Sequence, residues 1–197
     1  IDVNSAFLSW EATYRLHHLG GKEDLREKVS AVGGDMAMRH GIILAKSIPA
    51  KKFHIKTGET ILEAKQKCPE LILVPPNYGL YEKCSKAFMD ILRRYSPDVE
   101  QYSIDEAFVD MTGTEGLWGD PVTAAYRMKD QIRDTLGFTV NIGISENKLL
   151  AKMASDFQKP DRVHTLWHTE IDDKMWPLPG SDLFFVGRAC ANKVFNL

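Results

Sequence analysis

Val99-Glu100-Gln101-Tyr102-Ser103-Ile104-Asp105-Glu106-Ala107-Phe108-Val109-Asp110-Met111 reads as two short strands, residues 99–102 and 107–111, with Ser103-Ile104-Asp105-Glu106 near their junction. Upstream, Leu71-Ile72-Leu73-Val74 is a buried strand stopped by Pro75-Pro76, because proline brings no N–H to a ladder. Between them, residues 78–95 carry Tyr81, Cys84, Phe88, Ile91, Leu92 and Tyr95 at helical spacing. Downstream, the pattern predicts a helix over residues 122–136, a strand over 139–144 and a helix over 148–157. Strand, helix, two strands, helix, strand, with a further strand end at residues 1–4, fits a ferredoxin-like α+β fold: an antiparallel sheet with helices on one face.

The remainder is an insertion after the first strand, residues 8–70. Residues 7–18 have helical spacing and Gly20-Gly21 ends them; residues 22–28 are a charged connection. Residues 29–32 and 42–45 read as strands, and residues 50–53 and 60–67 as short helices separated by Thr57-Gly58-Glu59. From Pro160 onward the pattern weakens, as at the start of another unit. Both ends look cut. The chain opens at Ile1-Asp2-Val3 without a methionine and stops at Val194-Phe195-Asn196-Leu197, as if partway through a helix.

A chain of 197 residues builds one core, or one core and a smaller unit. With 44% hydrophobic and 26% charged residues it has the composition of a soluble globular protein, not of a disordered or fibrous one. No apolar run approaches the roughly 20 residues of a membrane span. Asp2 and Asn4 interrupt the apolar N-terminus, so no signal peptide is read there. Cys68, Cys84 and Cys190 are too few and too scattered for a disulfide framework or a zinc site, and fit a reducing cytoplasm. The net charge of -2 argues against a dedicated nucleic-acid binder. Yet Arg39, Lys46, Lys51, Lys52, Lys56, Lys65 and Lys67 face only Glu59 and Glu63 over one stretch, a tract that also reads as a solvated surface.

Adjacent side chains of a regular strand point to opposite faces, so Asp105 and Glu106 serve one site only if the chain turns there. Alone, the pair reads more readily as a solvated hairpin tip than as a site. Asp2 adds a third carboxylate, at the end of an apolar strand where it needs a partner. Three converging carboxylates repel one another, and divalent metal relieves that repulsion. Hard oxygen ligands without His or Cys favour Mg²⁺ or Mn²⁺, and a two-ion site suits in-line phosphoryl transfer.

Asp2-Val3-Asn4-Ser5-Ala6-Phe7, Tyr102-Ser103-Ile104-Asp105-Glu106-Ala107-Phe108 and Gly143-Ile144-Ser145-Glu146-Asn147-Lys148-Leu149-Leu150-Ala151-Lys152 resemble, in order, three signature blocks of Y-family (DinB/UmuC-like, ImpB/MucB/SamB) translesion DNA polymerases. Ala50-Lys51-Lys52-Phe53 with Lys56-Thr57-Gly58 resembles a fourth. The resemblance implies a ferredoxin-like palm at residues 1–7 and 71–160, a small α/β fingers insertion at 8–70, and the start of a helical thumb at 161–197. It implies that Asp2, Asp105 and Glu106, with the Val3 carbonyl, hold two Mg²⁺ ions for which Mn²⁺ substitutes. The primer 3′-hydroxyl would then attack the α-phosphate of a dNTP on primer–template DNA. A sliding clamp would engage a C-terminal region missing here. The expected setting is a bacterial-type cytoplasm, without a membrane.

Asn4, Ser5, Ala6 and Phe7 lead into a helix N-terminus, where free N–H groups favour a triphosphate. By resemblance, Phe7 takes the steric-gate position that excludes a 2′-hydroxyl, and Lys159 that of a triphosphate-binding lysine. Lys51 stands where the family commonly has arginine, and keeps the charge without the bidentate fork. Ile48 replaces a common tyrosine and Asn4 a common acidic residue. Lys148, Lys152 and Lys159 fall within roughly 40° of one another if their helix continues that far, opposite Leu149, Leu150, Met153, Ala154 and Phe157. Phe185-Val186-Gly187-Arg188 with Asn192-Lys193-Val194 resembles the start of a helix-hairpin-helix, in which Gly187 and Arg188 would approach DNA. Two other readings are a catalytically silent DNA-binding accessory paralogue and a palm-fold nucleotide cyclase. Gly33-Gly34-Asp35 suggests the cyclase, but Met36-Ala37 breaks its signature.

Overall fold

Short strands alternate with longer amphipathic helices along the chain. The computed structural model describes residues 1–34, 41–187, 190, 191 and 193. Its strands and α-helices are β1 (Asp2–Val3), α1 (Ala6–His18), β2 (Ser30–Gly33), β3 (Ile43–Lys46), α2 (Ile48–Lys51), α3 (Ile61–Lys67), β4 (Ile72–Val74), α4 (Tyr78–Leu92), β5 (Val99–Gln101), β6 (Ala107–Val109), α5 (Glu115–Trp118), α6 (Pro121–Leu136), β7 (Val140–Ile144), α7 (Lys148–Asp156), β8 (Val163–Thr165) and α8 (Ile171–Lys174). The class is α+β, as the element order predicts. No described helix is long and apolar enough to cross a membrane. The chain divides into two compact units, Ile1–Asp2 with Ile91–Gln131 and Val140–Leu197, and Val3–Asp90 with Ile132–Thr139.

In the unit Val3–Asp90 with Ile132–Thr139, β2 lies between β3 and β4, antiparallel to β3 and parallel to β4. Ala31, Ile43, Ala50, Ile61, Ala64 and Leu71 form its hydrophobic cluster. Thr60 and Glu63 start α3 with a reciprocal capping box, each side chain accepting from the other's backbone N–H. Ser47 caps α2 by accepting from the Ala50 N–H, so that helix begins at Ile48, ahead of the expected residue 50. The buried strand expected at Leu71-Ile72-Leu73-Val74 is corrected: β4 is an edge strand, and Ile72 is 41% exposed while Val74 is buried. Ile72 and Val74 point to the same face of the strand, so the cover on that face reaches Val74 and not Ile72.

Fully buried Trp10 packs in the same unit against Phe7, Tyr81 and Phe138. Gly137 ends α6 at φ +75, a conformation an L side chain adopts at a cost, and its missing Cβ leaves room for Thr13. Its carbonyl accepts from Thr13 Oγ1 at 3.0 Å and from the Arg26 guanidinium at 2.7 Å.

In the other unit, β5 and β6 form the expected hairpin, with Glu100 opposite Phe108. A bridge between Asp2 and Glu106 joins that hairpin to β1, and β1 leads on to β7 and β8. The resulting order β5-β6-β1-β7-β8 is a ferredoxin-like sheet with one strand added at its edge. That added strand, β8, runs parallel to β7 and was not predicted. Its three residues are all half-buried, so they carry no alternation to read.

Helix α7 approaches β7 closely at Gly143. A Cβ there would lie 1.9 Å from the Ala151 oxygen and 2.4 Å from the Ser155 nitrogen. Asn141, fully buried in the same strand, donates its amide to Ser155 O at 3.0 Å and Gln158 O at 2.7 Å, tying down the helix end. Asn147 caps the other end by accepting from the Leu150 N–H at 3.0 Å. The apolar flank of α7 is narrower than its spacing suggests. Met153 and Ala154 are buried with Leu166, whereas Leu149 is 61% exposed.

Gly143→Ala is expected to cost about 3 kcal/mol, because rigid backbone rather than a movable side chain blocks the methyl group. Urea unfolding with an unchanged m-value would check this; a loss near zero would mean that the helix shifts freely. Asn141→Leu is also expected to cost about 3 kcal/mol, by stranding two carbonyls at the end of α7. The same measurement checks it.

Candidate metal centre

Asp2 is on β1 and Glu106 enters β6, and their backbones bridge. The turn between β5 and β6 delivers the second carboxylate: the N–H groups of Tyr102 and Ser103 both donate to Glu106 O, at 3.0 and 3.1 Å. That is the local turn the acidic pair requires. Ser103 Oγ donates to Asp105 Oδ1 at 2.7 Å and lies 3.3 Å from Glu106 Oε2. One hydroxyl proton serves one acceptor at a time, so Asp105 holds it and Glu106 stands beside it.

Lys152, from α7, places its Nζ 2.9 Å from Asp2 Oδ2 and hydrogen-bonds Glu106 Oε1. Lys159 adds a second ammonium, 3.0 Å from Asp2 Oδ1 and 2.9 Å from Asp156 Oδ1. Little of this is open to water: the side chains of Lys152, Asp2 and Glu106 are 11%, 14% and 21% exposed. Burial works to raise the Asp2 carboxyl, but the Lys159 and Lys152 ammoniums outweigh it and hold Asp2 below the usual carboxylate range. For Glu106 burial wins, and its contact with Asp2 adds to the rise, so it is held above that range despite Lys152. Burial works to lower Lys152, yet Asp2 and Glu106 raise it.

Of the expected trio, two carboxylates meet directly and the third lies one hydroxyl away. Asp2 and Glu106 meet on one ammonium, and Asp105 is joined to them through Ser103. Among the described residues, no three acidic, His or Cys side chains form a group placed to hold a metal ion. Lys152 and Lys159 pair with the two inner carboxylates. The donor set itself is anionic oxygen only, which fits a hard divalent cation.

The basic stripe expected along α7 is corrected. The helix stops at Asp156, so Lys159 reaches Asp2 from beyond it, while Lys148 pairs instead with Glu100 and lies over the Phe108 ring. Sequence reasoning missed Ser103 and Asn141. A serine two residues before Asp105, and an asparagine inside an apolar strand, were the available signals.

The expected nucleotide-binding residues lie in the unit Val3–Asp90 with Ile132–Thr139. Asn4 is buried, accepting from Thr139 Oγ1 at 2.9 Å and, through its carbonyl, from Ser9 Oγ at 2.6 Å. Ser5 is exposed in the left-handed region at φ 48 and caps α1 without a side-chain bond; Ala6 is buried. Phe7 is half-buried, stacked on Tyr81 at 4.6 Å and 13°. Lys51 ends α2, exposed, as are Lys52 and Lys56. Elsewhere in the basic tract Lys46, Lys65 and Lys67 make local bonds to Thr57 Oγ1, Leu71 O and Glu59. Gly187 donates to Phe185 O at 3.1 Å and has open space where a Cβ would be. Arg188, Arg39, Asp35, Asn192 and Val194 lie outside the described residues.

Residues 1–156 match the impB/mucB/samB family. The chain is 49% identical to DNA polymerase IV of Clostridium acetobutylicum, over 100% of this chain and 49% of that protein. Among solved structures it resembles DinB from Sulfolobus solfataricus at TM-score 0.86 and 26% identity, over 99% of this chain and 55% of the other. It also resembles an insertion ternary complex of Dbh DNA polymerase at TM-score 0.86 and 27% identity, over 99% and 56%. The chain spans about half the length of these relatives. With the match running from the Asp2 block past the Lys152 block, the chain belongs to the impB/mucB/samB family.

Proposed function

We propose that the protein is a template-directed DNA polymerase of the translesion type, joining a deoxynucleotide to a primer 3′-hydroxyl. The observation that carries this reading is the meeting of Asp2 and Glu106 on Lys152, in a chain of this family. Asp2, Glu106 and Asp105, with the Val3 carbonyl, are the residues that would hold two divalent cations, Mg²⁺ or in its place Mn²⁺. When bound, such ions lower the pKa of an attacking hydroxyl and stabilise charge on a leaving pyrophosphate.

The chain's own groups have distinct tasks. The carboxylates supply the negative oxygen cradle, and the turn of residues 102–106 fixes two of them. Phe7, held flat against Tyr81, serves as the steric gate toward a sugar 2′-hydroxyl. The start of α1 beyond Asn4, together with Lys51 and Lys159, receives the triphosphate. Gly187 and Arg188 approach primer–template DNA. In this assignment residues 1–7 and 71–160 are the palm, 8–70 the fingers and 161–197 the beginning of the thumb. A sliding clamp engages sequence that this chain does not span, and the work is done in the bacterial cytoplasm. The relatives are polymerases by name, which favours neither a silent accessory protein nor a nucleotide cyclase.

Primer extension by the full-length protein with Mg²⁺ tests the reading. Asp105→Ala is expected to lower the rate roughly a thousandfold, the scale of several kcal/mol of lost charge stabilisation. Extension equal to the parent's would remove Asp105 from the metal centre. Phe7→Ala is expected to raise ribonucleotide incorporation relative to deoxyribonucleotide; unchanged discrimination would take the gate role from Phe7.

A further inference from the structure

We propose that Lys152 is a built-in counter-cation: it holds Asp2 and Glu106 together without metal, and competes with a divalent ion for the same oxygens. The inference rests on the metal-centre reading above and goes beyond it, because it assigns a task to a residue that is neither ligand nor nucleotide contact. Lys152 spans the pair, bonding Asp2 Oδ2 at 2.9 Å and Glu106 Oε1, with Asp156 Oδ2 3.3 Å away. Lys159 pairs with Asp2 and Asp156, whereas Lys152 reaches Asp2 and Glu106 together; the Lys159 side chain is 34% exposed against 11% for Lys152. The bridging role thus falls to Lys152.

Its position is imposed by the backbone. Helix α7 is pinned to β7 through Gly143, capped by Asn147 and tied at its end by Asn141. A lysine on so fixed a helix cannot leave the carboxylates by moving the helix; it leaves only by turning its own side chain. Without the ammonium, two mostly buried carboxylates would face each other and separate or take up a proton. With a divalent cation present, the ammonium both blocks two ligand oxygens and repels the incoming charge. The two effects have the same sign, so removing the charge strengthens cation binding even as it loosens the metal-free site. Lys152 is therefore a positioning residue.

The experiment measures Mn²⁺ binding by electron paramagnetic resonance, and melting temperature with and without Mn²⁺. It uses the full-length parent and its Lys152→Gln, Lys152→Arg, Lys159→Gln and Asp2→Asn variants. Lys152→Gln is expected to bind Mn²⁺ roughly tenfold more tightly, the scale of one nearby unit charge in a partly buried site. Its metal-free melting temperature falls, and Mn²⁺ restores it. Lys152→Arg keeps the parent affinity, and Lys159→Gln gains less than Lys152→Gln. Should Lys152→Gln not fold, Lys152→Met fills the space with an uncharged chain and carries the same expectation; failure of both to fold without rescue by Mn²⁺ would overturn the competition. Affinity in Lys152→Gln equal to or below the parent's, with binding still lost in Asp2→Asn, would overturn the role of Lys152 and leave the metal centre standing. Binding indifferent to Asp2→Asn would overturn the metal centre itself, and the proposal with it.

Discussion

Two carboxylates set side by side in a partly dry place must be neutralised, and the architecture around β7 answers that requirement. Taking an ion out of water costs several kcal/mol, while a charge pair at 4 Å regains about 4 kcal/mol at an effective dielectric constant near 20. The closure of Asp2 and Glu106 by Lys152 therefore comes close to cancelling as a source of stability. What it supplies is placement. The helix that delivers the ammonium could not lie where it does if residue 143 carried a side chain. Nor would the end of that helix be held without the buried amide of Asn141. A local glycine and a local asparagine thus govern a charge contact between the first and last thirds of the chain.

The balance at this site is deliberately uneven in sign. Asp2, Asp105, Glu106 and Asp156 set four carboxyl groups against the ammoniums of Lys152 and Lys159. Asp2 has both lysines and is held ionised; Glu106 has one, and burial lifts it. A residual negative field beside two hard oxygen donors is a place where a dication gains more than a monocation. That asymmetry is a property of the chain itself, independent of any bound ion.

Much of the fold was legible because its signals are local. The proline pair after β4, the spacing along α4 and the acidic turn between β5 and β6 each mark an element within a few residues of its observed bounds. That Asp2 would need a partner was legible for the same reason, a carboxylate at the end of an apolar strand, and it pairs with Lys152 and Lys159. The failures share a different cause. The helical wheel joined Lys148, Lys152 and Lys159, but α7 ends at Asp156 and Lys159 arrives by a loop. Strand β8 hides because half-buried residues show no alternation, and Ile72 misleads because an apolar run does not show which of its residues the rest of the fold covers. Asn141 reads as an interruption of an apolar strand until its acceptors at the end of α7 are known. Each of these depends on what lies opposite in space, which spacing along a chain does not encode.

The same distinction governs the charge of the molecule. A net charge of -2 suggested a poor partner for a phosphate backbone, and the tract ending at Lys67 suggested the opposite. Counting charges settles neither, because several of those lysines serve the fold: Lys67 holds Glu59, Lys65 holds the carbonyl of Leu71, and Lys46 reaches Thr57. What remains exposed around α2 is Lys51, Lys52 and Lys56, a short cationic row beside buried Ile55. Phosphate attraction depends on such unspent charges within about 10 Å, the screening length at 0.1 M salt, and not on the total. A mildly acidic chain can therefore carry a locally basic row, because attraction follows the few charges near a phosphate and not the sum over the sequence.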